Sequence, residues 1–107
     1  MNLSAPAYFI FNVIIHDEVA LKPYLENVEA SYKAFGGKRI VMGAKCEALE
    51  GTPPAGQMVI LAFSSLKQAH AWYDSPAYQA IIPFRLPAAT TQTWLVEGVP
   101  PSPNFSE

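Results

Sequence analysis

Cysteine occurs once in the 107 residues, at Cys46, so no disulfide can close within the chain. An unactivated thiol behaves as a small hydrophobe, and Cys46 is expected to be buried on a strand. Histidine is nearly as scarce. His16 and His70 stand far apart with no carboxylate or thiolate spacing around either, which matches no metal-binding motif, so no metal or other cofactor is expected. Charge is thin and unblocked: seven Lys and Arg oppose nine Asp and Glu, for a net charge of -2. That balance offers nothing to nucleic acid or to an anionic membrane surface. Long apolar runs are missing too. The run from Ala7 to Ile15 is too short to span a bilayer, with no basic region before it and no small-residue cleavage pattern after it. There is no phosphate-binding glycine loop, no serine or cysteine nucleophile constellation and no haem attachment motif. What is present is apolar: half of the residues, with 12% aromatic. That suffices for one domain with a real core, in a chain small enough that dimerisation would bury useful further surface. A bacterial cytoplasmic protein is expected.

The stretch AYFIFNVIIH combines aromatic and β-branched residues over a strand's length and stops at Asp17-Glu18, which suits a helix start. Alternation puts Phe9, Phe11, Val13 and Ile15 on an apolar face and Tyr8, Ile10, Asn12, Ile14 and His16 on a mixed one. Leu21, Tyr24, Leu25, Val28, Tyr32 and Phe35 then step by threes and fours, predicting a helix closed by Gly36-Gly37. Pro23 lacks the amide hydrogen that a helix begun at Asp17 would use, so a separate turn is expected over 18–22 and the regular helix from about Pro23. KRIVMGAKCE predicts a second strand, with Ile40, Met42, Ala44 and Cys46 opposite Arg39, Val41, Gly43, Lys45 and Glu47. After the turn-rich EGTPPAG, the continuous apolar run QMVILAFS reads as a central third strand.

Ser65 and Gln68 have the spacing of a capping box, opening a helix that carries Leu66, Ala69, Trp72 and Tyr73. In WYDSPAYQ, Ser75 is a good amino-cap and Pro76 fits the first helical position, so a second segment starts there with Tyr78, Ile81, Ile82 and Arg85 sharing a side. TTQTWLVEG is the last strand, and VPPSPNFSE reads as an extended tail. The expected domain covers residues 1–99 and the Pro-rich tail 100–107.

The order βαββαβ is the ferredoxin-like α+β arrangement, a four-stranded antiparallel sheet with the helices on one face. Its open face would hold Tyr8, Ile10, Asn12 and Ile14, with Val41, Met58 or Ile60, and Leu95 nearby. So much apolar surface does not stay wet on a stable monomer. Two sheets stacked about a two-fold axis would bury it, making a second copy of the chain the expected partner.

The strings WYDSPAYQ followed by Arg85, FGGKRIV, ALEG and the terminal VEG resemble the domain of unknown function 1330 family, from about Tyr8 to Gly98. The resemblance implies a dimeric α+β barrel and implies no activity. Barrels of that kind include cofactor-independent monooxygenases, muconolactone-type isomerases and stress-response binding modules, a likeness of fold only. The sequence departs from the family pattern at Ala62, where an acidic residue is common, and at Met42, where a second Arg often follows the Gly-Gly pair. Without those charges, a carboxylate and guanidinium pair inside the barrel is not expected.

Six residues are candidates for a ligand pocket. Trp72 reads either as an aromatic anchor for the helix pair or as a pocket wall. Tyr78 and Arg85, two turns apart, either bracket an anionic or carbonyl-bearing ligand or form a surface Arg lying on a ring. His16 beside Asp17 has the makings of a general base, or is a solvated strand-end residue. Asn12 and Arg39 are placed on the open side of the sheet, where they would need partners. The leading functional reading is a small-molecule binding module. The alternative is a cofactor-independent, monooxygenase-like or isomerase-like enzyme acting on a small aromatic or carbonyl substrate. Convergence of Asn12, His16, Arg39, Tyr78 and Arg85 on one pocket would favour the enzyme, and scatter would assign them packing roles.

Overall fold

The computed structural model describes residues 5–43 and 45–100. The expected tail, beyond Pro100, and Ala44 lie outside them. Eight elements follow one another: β1 (Ala7–Ile15), α1 (Glu18–Lys33), β2 (Lys38–Met42), β3 (Gln57–Phe63), α2 (Leu66–Tyr73), α3 (Pro76–Gln79), α4 (Ile82–Arg85) and β4 (Ala89–Glu97). The strands form one antiparallel sheet in the order β2-β3-β1-β4, the ferredoxin-like arrangement.

β1 is the centre of the packing. Opposite Phe9 lie Leu61 on β3 and Leu95 on β4, and opposite Phe11 lie Val59 and Thr93. These residues share the face covered by the helices, and Phe9, Phe11, Leu61 and Phe63 are buried there. The other face carries Tyr8, Ile10, Asn12 and Ile14, beside Met58, Ile60, Trp94 and Val96. Leu95 was expected on that open face, but its pairing with Phe9 puts it on the helix side and Trp94 and Val96 on the open one.

α1 starts earlier than Pro23 implies. The Asp17 carboxylate accepts the Ala20 amide at 3.0 Å, and Leu21 N–H bonds to the Asp17 carbonyl at 3.1 Å. The cap stabilises the first turn, so the helix runs unbroken from Glu18 and absorbs the one hydrogen bond that Pro23 cannot donate. At its other end Gly36, with φ of 76°, and Gly37 close the helix, their amides bonding to the carbonyls of Lys33 and Tyr32.

β2 is shorter than expected, ending at Met42 because Gly43 turns the chain at φ of 56°. Cys46 therefore lies exposed beyond the strand, not buried on it. A β-bulge at Ile40 also breaks the alternation: Arg39 pairs with Leu61, whereas Val41 pairs with Ile60 and Met42 with Val59. Arg39 and Val41 thus face opposite sides.

The junction after α2 forms as its residues dictate. Ser75 Oγ accepts the Tyr78 amide at 3.2 Å and donates to the Trp72 carbonyl at 2.7 Å, all of it buried. Beyond it the expected single segment is two one-turn helices, with Pro83 near the start of the second. At the start of α2, Ser65 caps the Gln68 amide at 3.0 Å, but the Gln68 side chain turns away to the Phe35 carbonyl, so only half of the capping box forms. Ser75→Ala strips the buried Tyr78 N–H of its partner, while the Trp72 carbonyl keeps the residue-75 amide at 3.0 Å, and should cost about 0.5 to 2 kcal/mol by denaturant unfolding. Pro76→Ala should change stability little, because a first-turn residue needs no donor.

Candidate functional site

α1 packs mainly against α3 and α4 and stands off from the strands beneath it. The gap is a cavity of about 90 Å³. Its floor is the helix side of the sheet, with Phe11, Val13 and Ile15 from β1, Val59 and Leu61 from β3, and Met42 from β2; Leu21, Leu25 and Val28 of α1 form the roof. The polar lining consists of Tyr24, Tyr32, Arg39, Gln57 and Arg85, with no carboxylate among them. This space, open to solvent on the side of the exposed Leu25, Arg39, Met42 and Gln57, matches one small ring or a short aliphatic chain, well below the roughly 300–1,000 Å³ of pockets for drug-sized ligands.

Arg85 is the unusual member. It is only 6% exposed, its guanidinium carbon lies 5.6 Å from the centre of the Tyr24 ring, and its Nε has no hydrogen-bond partner. The surface arginine lying on a ring, considered above for Tyr78, is thus a buried one on Tyr24. The Tyr24 and Tyr78 hydroxyls lie 2.8 Å apart. Burial raises the pKa of both phenols, with the Arg85 charge opposing the rise. Both stay protonated at neutral pH and act as hydrogen-bond donors, not as bases. At the other end of the α1 face, about 12 Å along the helix, burial likewise raises the Tyr32 phenol while the Arg39 charge opposes it.

The remaining candidates sit elsewhere. Trp72 has no exposed surface and packs on Phe9 at 5.1 Å, Phe63 at 5.4 Å and Tyr78 at 4.1 Å between ring centres, while its indole N–H donates to Ser31 Oγ at 3.0 Å. It does not line the cavity. Its neighbour Tyr73 turns aside to stack on Phe9 at 5.5 Å. Asn12 is on the opposite face of the sheet, where its side-chain oxygen accepts the Gly56 amide at 2.8 Å and its nitrogen donates to Gln92 at 3.4 Å. A Cβ on Gly56 would lie 2.3 Å from the Val13 carbonyl oxygen, so the pair fastens the loop entering β3. His16 is exposed, its Nε2 2.6 Å from the Thr90 hydroxyl. Asp17 is occupied with capping α1 and does not orient the imidazole. Arg39 and Arg85 therefore share the cavity, Tyr78 lies behind its wall, and Asn12, His16 and Trp72 lie outside it. Tyr24 and Tyr32 were missed as candidates because their helical spacing reads as core; the phenols opposite arginines are visible only once α1 is placed. Among the described residues, no three His, Cys, Asp or Glu side chains group closely enough to hold a metal ion.

The fold recurs in solved structures. A protein of unknown function from Rhodopseudomonas palustris, RPA0582, aligns over 92% of this chain and 85% of its own, with 16% identity and a TM-score of 0.71. SnoaB, a cofactor-independent oxygenase from Streptomyces nogalater, aligns over 94% of this chain and 100% of its own, with 9% identity and a TM-score of 0.62. At such identities the likeness is one of fold. No curated protein matches the chain. Residues 6–99 match the family described as Domain of unknown function (DUF1330), and the chain belongs to that family.

Proposed function

We propose that the chain is a small-molecule binding module whose ligand enters the cavity between α1 and the sheet. The observation that supports this reading is the apolar hollow lined by a buried arginine, with no general base facing it. Its phenols hold their protons, and the imidazole of His16 is outside. Such a lining is suited to holding a small molecule more than to moving its protons. A thermal-shift screen of small aromatic and short-chain compounds should find ligands that raise the midpoint. Ligand at a hundred times its Kd adds about 2.7 kcal/mol to stability. Turnover assays on each hit separate the two functional classes: hits recovered unchanged support binding, and hits consumed would replace it with the enzyme reading. A screen without a single shift would remove both.

The working unit is taken to be a homodimer in the bacterial cytoplasm. On the open face Trp94 is 49% exposed and Val96 46%, with Ile10, Met58 and Ile60 half-buried beside them. A second copy presenting the same face about a two-fold axis would cover this row without any other partner. No described helix is long and apolar enough to cross a membrane.

A further inference from the structure

We propose that the ligand of the cavity carries a carboxylate on a small apolar body, and that Arg85 is the residue that selects it. The inference rests on the binding reading above and adds the chemical class. A guanidinium cannot shed its proton to escape burial. Arg85 is nonetheless buried, its Nε is unpartnered, and no acidic side chain lines the cavity with it. The ion pairs among the described residues, Lys33 with Glu29 and Lys45 with Glu47, leave Arg85 out. Its contact with the Tyr24 ring and its interaction with the Tyr24 and Tyr78 hydroxyls offset only part of the cost of burying the charge.

A carboxylate would supply the counter-charge that no side chain lining the cavity provides. Its planar pair of oxygens fits the guanidinium fork, and the Tyr pair supplies another donor. When Tyr78 donates to Tyr24, the proton of Tyr24 itself is free to donate, and Tyr24 lines the cavity. The rest of the ligand meets Leu21, Val28, Val59 and Leu61, so it is apolar. A phosphate, more highly charged and more strongly hydrated, would need more donors than these. Arg39 acts differently. It is exposed and near Glu29, so its charge is screened by salt and contributes mainly to attracting an anion.

Benzoate and benzamide share a shape and differ in charge, so calorimetric titration of the unmodified chain with each tests the claim. Benzoate is expected to bind at least about tenfold more tightly, the strength of a charge-assisted hydrogen bond. Arg85→Met should reduce benzoate to the benzamide level while keeping the thermal midpoint, because an apolar side chain of similar size relieves the buried charge. Arg85→Lys, which retains charge without the fork, should recover only part of the preference. Equal affinities for the two probes would overturn the carboxylate proposal and leave the binding cavity standing. A benzoate preference that survives Arg85→Met would overturn the role of Arg85. Failure of both probes to bind at millimolar concentration would remove the cavity reading as well. Should Arg85→Met not fold, the two probes on the unmodified chain and the Arg85→Lys result still decide.

Discussion

Truncating Trp72 to alanine is expected to lower the unfolding free energy by about 3 to 5 kcal/mol, a large share of the roughly 5–15 kcal/mol that holds a domain of this size together. The indole touches β1 through Phe9, β3 through Phe63, α1 through Ser31 and α3 through Tyr78. No neighbour can fill the hole alone, since the surrounding rings are fixed by one another. Trp72→Phe should cost less, because Ser31 Oγ keeps its bond to the Val28 carbonyl at 2.6 Å when the indole N–H is gone. Ligand affinity should stay within about twofold of the unmodified chain in Trp72→Phe, the residue being outside the cavity. Denaturant midpoints read beside ligand titrations check both statements. An unchanged midpoint with lost binding would make Trp72 a pocket wall.

Placing a charge at Ile10 should break the proposed dimer. Ile10 lies between Ile60 and Trp94 in the middle of the open face, so in the stacked assembly its side chain is deep in the interface. An uncompensated buried charge costs about 3 to 5 kcal/mol, and two-fold symmetry buries two of them. The dissociation constant of Ile10→Asp should therefore rise by more than about a thousandfold. Sedimentation of the unmodified chain is expected to give the dimer mass, and the variant a monomer or aggregate. A stable monomer for the unmodified chain would remove the assembly.

Much of the scaffold was legible because its signals are local. The alternation of β1, the glycine closure after Tyr32 and the Ser75-Pro76 restart each follow from a few adjacent residues and the backbone geometry they favour. What was not legible depends on pairing across the sheet. A single bulge at Ile40 carries Arg39 from the open side to the cavity, and no periodicity in KRIVMGAKCE announces an extra residue. The face of Leu95 depends on its register with Phe9, since alternation divides a strand into two sets without saying which one meets the helices. Pro23 misled in the opposite direction: one missing hydrogen bond weighs less than a capped first turn on a helix whose apolar face is already in place. Arg85 could be placed beside Tyr78 from its spacing, but its burial could not be read, because arginine side chains are mostly exposed and only the closure of α1 over α4 removes this one from water.

The central claim, that the space beneath α1 is the ligand site, is tested most directly by residue-resolved NMR of the isotope-labelled unmodified chain titrated with benzoate and with benzyl alcohol. The account predicts saturable shifts at Leu21, Val28, Val59 and Leu61, with Ile14, Trp94 and Val96 on the other face unmoved. Shifts confined to the open face, or none in the cavity while ligand is demonstrably bound, would contradict it.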